Sequence, residues 1–314
     1  MRLAVLLDNW NSMGGGLEQY LTHLIPALAD AKHDILFVAE KANIYPPQGC
    51  QTVSLGERNF FPRPWREALN EKEAIKKIKK WQPDAVITLR TLSYPGAYHM
   101  PIGGSPRHIP KKKAPSYRTK KLIAREEEAM HSAKVILPNS NFVADQIKSY
   151  CSTPQKIITL PLLEKLEKRN LERKKNSALA IAHCGRDHWR HGLPEAINWF
   201  STVKLAYKNS TLTCYVKSIS KTCKFLKEDV KSLAKKGILF CKWGKNFRQE
   251  INKFDLLLHP SKYDAFSLVC LEAAAAKVPV LCSNTTGVAQ FLPKSICQSI
   301  PLKESGEAII KTVK

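Results

Sequence analysis

HPSKYDAFSLVCLEAAAAKVPVLCS (His259–Ser283) decides how this chain is read. It carries two acids, Asp264 and Glu272, with seven residues between them. Asp264 lies in a polar loop after the apolar run FDLLLHP, and Glu272 lies in a helix-like run of small residues, LVCLEAAAAK. A second apolar run, VPVLCS, follows at once. The order strand, loop, helix, strand belongs to open α/β sheets, whose ligands bind at the carboxyl ends of the strands. An acid in the loop and an acid on the helix then face one crevice, and neutral sugar hydroxyls are what such acids often hold. The spacing alone is equally compatible with Asp264 as a helix cap and Glu272 as a solvated helix position. The rest of the chain has to decide.

Upstream, the same alternation repeats. RLAVLL (2–7) is a continuous apolar run suited to a buried parallel strand, and a loop with Gly14, Gly15 and Gly16 follows it. LEQYLTHLIPALADA then places Leu17, Leu21, Leu24, Ile25 and Leu28 at helical spacing before the strand-like HDILFVAE. This is a βαβ unit with a glycine-rich turn. NEKEAIKKIKKWQ and KLIAREEEAMHSA predict helices, PDAVITL, KVILPNS and KIITLPL predict strands, and residues 93–118 predict a Pro/Gly-rich loop. After the charged run EKLEKRNLERKKNS (164–177), a second alternation begins with ALAIAHCG and includes STLTCYV, the single helix KFLKEDVKSLAKK, and GILFCKW. The expected fold is α/β: two Rossmann-like domains, 1–163 and 178–314, joined by a linker at 164–177 and facing each other across a cleft.

Bulk properties narrow the partners. With 314 residues and 44% hydrophobic content, both halves have enough apolar material to fold. A formal net charge of +23 implies a polyanionic neighbour: nucleic acid, an anionic membrane face or a phosphorylated substrate. The segment 105–125 holds eight Lys/Arg and no acid, which suits an acceptor or membrane-surface patch as well as a solvated loop. Its single aromatic, Tyr117, makes stacking on single strands a poor fit, and with no recognition motif nucleic acid is not expected as a partner. Nine scattered cysteines form no CxxC pair and no metal-ligand cluster, so buried thiols in a reducing compartment are expected and no metal. The N-terminus lacks the pattern of a signal peptide, and no window reaches the roughly 20 apolar residues of a membrane span. A cytoplasmic protein is expected, with peripheral contact at the inner face of the membrane.

Four blocks now carry a family resemblance. GGGLEQY (14–20), EEEAMHSAKVILPNSNFVADQI (126–147), GRDHWRHG (185–192) and the opening segment resemble, in order, the conserved elements of GT-B retaining glycosyltransferases of the family 4 type. The nearest subgroup is that of the glucosyltransferases that modify heptose in the lipopolysaccharide core. Asp264 stands where the family's E-x7-E motif carries its first Glu, and His191 where the family carries Lys.

The resemblance implies a hexosyltransferase that uses a nucleotide-sugar donor, UDP-glucose by default, with no bound cofactor. An anionic glycolipid or saccharide is the implied acceptor. A catalytically silent relative that binds a partner or a membrane is the alternative reading. In this family cationic side chains neutralise the leaving diphosphate, and Arg190 suits that role because a guanidinium grips phosphate oxygens as a fork. His191 adds a hydrogen-bonding ring without fixed charge. Gly15 and Gly16 let a diphosphate approach the backbone beside a helix N-terminus. By resemblance Glu272 holds the nucleotide ribose, and Asp264 holds the transferred sugar near the backbone N–H groups of Phe266, Ser267 and Leu268. His108 is the expected donor-contacting histidine, with His99 as its competitor.

Overall fold

Leu3 to Leu7 are buried without a break, as a strand covered on both faces requires. In the computed structural model they lie in β1 (Arg2–Asn9), followed by α1 (Gly16–Asp30), β2 (Asp34–Glu40), β3 (Gln51–Ser54), α2 (Arg63–Trp81), β4 (Ala85–Leu89), β5 (Tyr98–Met100), α3 (Tyr117–Ser132), β6 (Val135–Ile136) and α4 (Asn141–Lys148). The structure describes residues 1–10, 16–43, 45–56, 60, 63–104, 107–110, 114–162, 166–169, 178–185, 187–243, 246–303 and 309–311. The chain divides into two units, Met1–Leu163 and Glu164–Lys314. In the first, the sheet order is β3-β2-β1-β4-β5-β6, with parallel pairing throughout.

The second unit runs β7 (Ala180–Cys184), α5 (Leu193–Ala206), β8 (Thr211–Val216), α6 (Ile219–Leu226), α7 (Val230–Lys235), β9 (Ile238–Lys242), α8 (Asn246–Glu250), β10 (Leu256–His259), α9 (Leu268–Ala275), β11 (Val280–Ser283) and β12 (Cys297–Ile300). Its sheet order is β12-β11-β10-β7-β8-β9, again parallel. The chain lays down β7, β8 and β9 outward on one side, then returns to place β10 against β7. The switch point therefore lies between β7 and β10, where loops leaving both strands diverge and open a crevice. Trp199, Phe200 and Val203 of α5 pack with Leu212, Val216 and Leu258 into the core that fixes this sheet.

Some local expectations are corrected. KIITLPL is not a strand. It follows β6 through N–H donation from Lys156 to Ile136 and from Ile158 to Pro138, with only one isolated bridge at Gln155. Pro154 and Pro161 remove backbone donors at its two ends, so the ladder cannot extend. KFLKEDVKSLAKK is two helices rather than one. Lys227 takes a left-handed φ of 58°, and Asp229 caps the second helix by accepting from Ser232 N–H at 2.9 Å. Strands β3, β5 and β12 were not expected; at three or four residues each, their pattern is too short to read. Of the expected linker, the described residues are tied to the second unit. Arg169 pairs with buried Asp255 at 2.7 Å, and its N–H donates to the Ala276 carbonyl. All nine cysteines are free thiols, and six are buried, as the sequence pattern implies. No described helix is long and apolar enough to cross a membrane.

Candidate active site at the second switch point

Two loops meet where β7 and β10 end side by side. The turn after β7 is braced from within. The Asp187 carboxylate accepts from the N–H groups of Trp189 and Arg190 at 3.1 and 3.0 Å, and its carbonyl accepts from His191 N–H. The turn is also pinned to the loop after β10, because the Arg190 carbonyl accepts from Lys262 N–H at 2.8 Å and from the Ser261 hydroxyl at 3.1 Å. Gly192 closes it at φ 73°, a conformation that favours glycine. A Cβ there would meet the Pro260 carbonyl oxygen at 1.8 Å, so the two loops touch through a residue with no side chain.

The side chains that converge are Arg190, His191, His259, Asp264 and Ser267. Arg190 Nη2 donates to His191 Nε2 at 3.0 Å. His259 Nε2 lies 3.0 Å from Asp264 Oδ2 and 3.2 Å from Ser267 Oγ. The two imidazole rings are edge to face at 6.0 Å. Burial pushes His191 down to about 4, and His259 and Arg190 push the same way against the opposing pull of Asp264. His191 is therefore neutral at physiological pH, and its Nε2 must be the unprotonated nitrogen that accepts from the guanidinium. The fixed positive charge of this pair belongs to Arg190. Burial alone would raise the Asp264 carboxyl. The His259 hydrogen bond and the neighbouring His259, His191 and Arg190 outweigh it, and the group sits well below the usual carboxylate range.

The donor atoms of His191, His259 and Asp264 lie within 4.8 Å of one another, the only group with metal-ligand proximity among the described residues. Arg190 already takes the His191 Nε2 lone pair and places a cation beside it.

Asp264 does not cap the helix that follows. Ser267 occupies the N-cap position of α9 in a left-handed conformation, with φ 70° and ψ 86°. Asp264 instead joins a bridge to Thr286, its N–H donating to Thr285 and its carbonyl accepting from Gly287. The Phe266 N–H is turned onto Asp264 Oδ1 at 3.4 Å. Leu268 is the first residue of α9. Glu272 is buried on this helix and paired with Arg248 of α8.

The expected residues of the first unit stand in their own surroundings. Gly16 is the first residue of α1, and Gly15 lies outside the described residues. His108 stacks on Tyr150 at 5.6 Å, and burial, reinforced by Arg107, lowers its pKa. His99 is a core histidine beside the Thr88 hydroxyl at 3.0 Å, with burial pushing it down to about 4. The switch point of this sheet lies between β1 and β4. There Arg90, at a left-handed φ of 63°, bridges Asp8 at 3.3 Å and Glu18 at 3.0 Å. Sequence reasoning missed this Arg90 bridge and Arg248, whose partners lie far away in sequence, and it missed His259, whose partner Asp264 lies five residues on and meets it only where the chain turns back after β10.

A pH dependence of stability follows from the buried rings. His99 and His191 sit near 4 and burial takes His183 to about 3, whereas an unfolded imidazole titrates near 6.5. Below that value the unfolded chain takes up protons that the fold refuses. Stability is therefore fully present above about pH 6.5 and is lost as pH falls towards about 4. Thermal unfolding should show a midpoint that is flat above pH 7 and drops between pH 6.5 and 5. A flat profile down to pH 5 would mean that these rings are solvated.

Comparison with known proteins gives the family and the fold. A family model described as Glycosyltransferase Family 4 matches residues 14–162, and one described as Family 4 Glycosyltransferase in conflict systems matches residues 155–313. The lipopolysaccharide glucosyltransferase WaaG of Escherichia coli (strain K12) is 25% identical over 182 residues, 54% of this chain and 48% of that protein. The chain thus spans, in this match, about half the length of its curated relative. Among solved structures, that of WaaG covers 100% of this chain and 89% of its own at a TM-score of 0.73 and 16% identity. A sucrose-phosphate synthase from Thermosynechococcus elongatus gives 0.75 at 15% identity, covering 99% and 88%. Anabaena HepE in complex with UDP-glucose gives 0.70 at 14% identity, covering 99% and 88%. These likenesses show the fold, two parallel six-stranded α/β units of the GT-B type. With family models covering both units, one of them just over half the chain, the protein belongs to glycosyltransferase family 4.

Proposed function

We propose that the chain is a retaining, metal-independent hexosyltransferase that takes a hexose from a nucleotide sugar. UDP-glucose is the default donor, and the acceptor is a cell-envelope glycan or glycolipid such as the lipopolysaccharide core. The observation that carries this reading is the meeting of Arg190 and ionised Asp264, through His191 and His259, at one switch point. Arg190 supplies positive charge where a leaving diphosphate needs it, and preorganised charge at such a position is worth most in a site shielded from water. Ionised Asp264 accepts hydrogen bonds from hydroxyls of the transferred sugar, and Glu272 accepts from the ribose. The acceptor hydroxyl gives its proton to the leaving phosphate on the same face of the sugar, so no side chain is assigned as base. WaaG's name and the HepE complex with UDP-glucose support the donor class. The net charge of +23 suits an anionic acceptor presented at the inner face of the cytoplasmic membrane.

Calorimetry with UDP and UDP-glucose, on the natural chain and on Asp264→Asn, tests this reading. Asp264 is assigned to the sugar and not to the nucleotide, so the variant should bind UDP unchanged and UDP-glucose about tenfold more weakly, the equivalent of one charge-assisted hydrogen bond. Failure of the natural chain to bind UDP, GDP or ADP would point instead to a silent, partner-binding relative.

A further inference from the structure

Glu272 already has an occupant. Arg248 sends both Nε and Nη2 to the same carboxylate oxygen, Oε1, at 2.7 and 2.6 Å. A carboxylate oxygen offers two lone pairs, so this fork fills Oε1. A ribose diol brings two donors to a carboxylate and uses both of its oxygens in the bidentate arrangement. While Arg248 stays, that arrangement is closed.

The backbone that carries Arg248 is well anchored, and its side chain is the more exposed of the pair. Phe247 is buried and packs edge-on against Tyr215 at 5.0 Å, and the Tyr215 hydroxyl donates to Glu250 at 2.5 Å. Ile251 is buried just beyond. Arg248 sits between these anchors with 23% of its side chain exposed, against 8% for Glu272. A rotamer change would turn the guanidinium towards water, because the long stem has three sp3 torsions to use.

We propose that Arg248 sets the affinity and ribose selectivity of the nucleotide site by holding Glu272 until a ribose diol displaces it. This rests on the reading of Glu272 as the ribose acceptor. Nucleotide binding then exchanges a charge-assisted fork for two hydroxyl donors, and the diol contributes little net affinity in the natural chain. The geometry makes Arg248 a specificity-determining residue, since it alters what the site gains from the 2′- and 3′-hydroxyls and leaves the rest of the nucleotide's contacts as they are.

Calorimetry with UDP and 2′,3′-dideoxy-UDP on the natural chain, Arg248→Met and Arg248→Lys tests this. Arg248→Met should bind UDP about tenfold more tightly, the equivalent of one net hydrogen bond no longer given up, with dideoxy-UDP unchanged. The ratio of the two affinities should grow by the same factor, and Arg248→Lys should fall between. Arg248→Lys retains a cation, so it guards against loss of fold in the methionine variant. If UDP binds the natural chain and Arg248→Met binds it equally or more weakly, with no gain in diol discrimination, Arg248 merely supports Glu272 and the inference is overturned while the donor reading stands. If none of the three proteins binds UDP, the donor reading itself falls and the inference with it. Binding that appears only in Arg248→Met would support the inference directly.

Discussion

Arg190→Met is expected to lower the turnover number for sugar transfer by about two to three orders of magnitude, the typical cost of removing one preorganised donor from developing charge. Two features of the structure make the effect large. The arginine backbone is held on both sides, its N–H by Asp187 and its carbonyl by Lys262 and Ser261, so no neighbour can slide into its place. Its ring neighbour cannot substitute either, because burial keeps His191 uncharged with a pKa near 4. Lys262 is close in space, its N–H on the Arg190 carbonyl, but its ammonium is paired with Glu195 and lies 5.5 Å from the Trp189 ring centroid. Arg190→Lys should recover part of the rate, since charge returns without the fork. Initial rates with UDP-glucose and unchanged melting temperatures are the measurements. Near-natural turnover in Arg190→Met would remove this side chain from the chemistry.

Gly192→Ala is expected to cost about 2–5 kcal/mol of unfolding free energy, from a left-handed non-glycine backbone together with overpacking. The added methyl would lie 1.8 Å from the Pro260 carbonyl oxygen and 2.7 Å from its carbon, both backbone atoms that cannot rotate away. One of the two loops has to move, and with it the contact that sets Arg190 beside the loop after β10. Gly96→Ala is the matched control. It has nearly the same φ, 74°, but nothing within 4 Å of the new methyl, so only the conformational part, about 1 kcal/mol, is expected. Denaturant melts of both variants separate the two terms. Equal, small losses would mean that the loops are not in contact at Gly192.

The alternation of apolar runs and amphipathic helices was legible because it depends on neighbours three or four residues apart. RLAVLL, FDLLLHP and VPVLCS all read as buried parallel strands, and each one is. KIITLPL carries a similar apolar pattern but has prolines where a strand needs donors, and KFLKEDVKSLAKK hides a left-handed Lys227 that no periodicity reveals. At the candidate site, Arg190, His191 and Asp264 were all named from local motifs. Their electrostatic states were not readable. His191 is neutral because of its burial and Arg190, while Asp264 is ionised because His259, five residues earlier, turns a ring nitrogen onto it.

The sequence by itself determined the fold class, the position of the turn after β7, and the two acids, since each is written in a short run of residues with its own spacing. Which group answers each acid was decided only by the tertiary structure. Asp264 meets His259 because the chain bends back after β10, and Glu272 meets Arg248 because α8 and α9, 24 residues apart at the paired side chains, pack together. The Arg248–Glu272 pairing is set by the packing of helices on a sheet, and no local pattern of residue types encodes it.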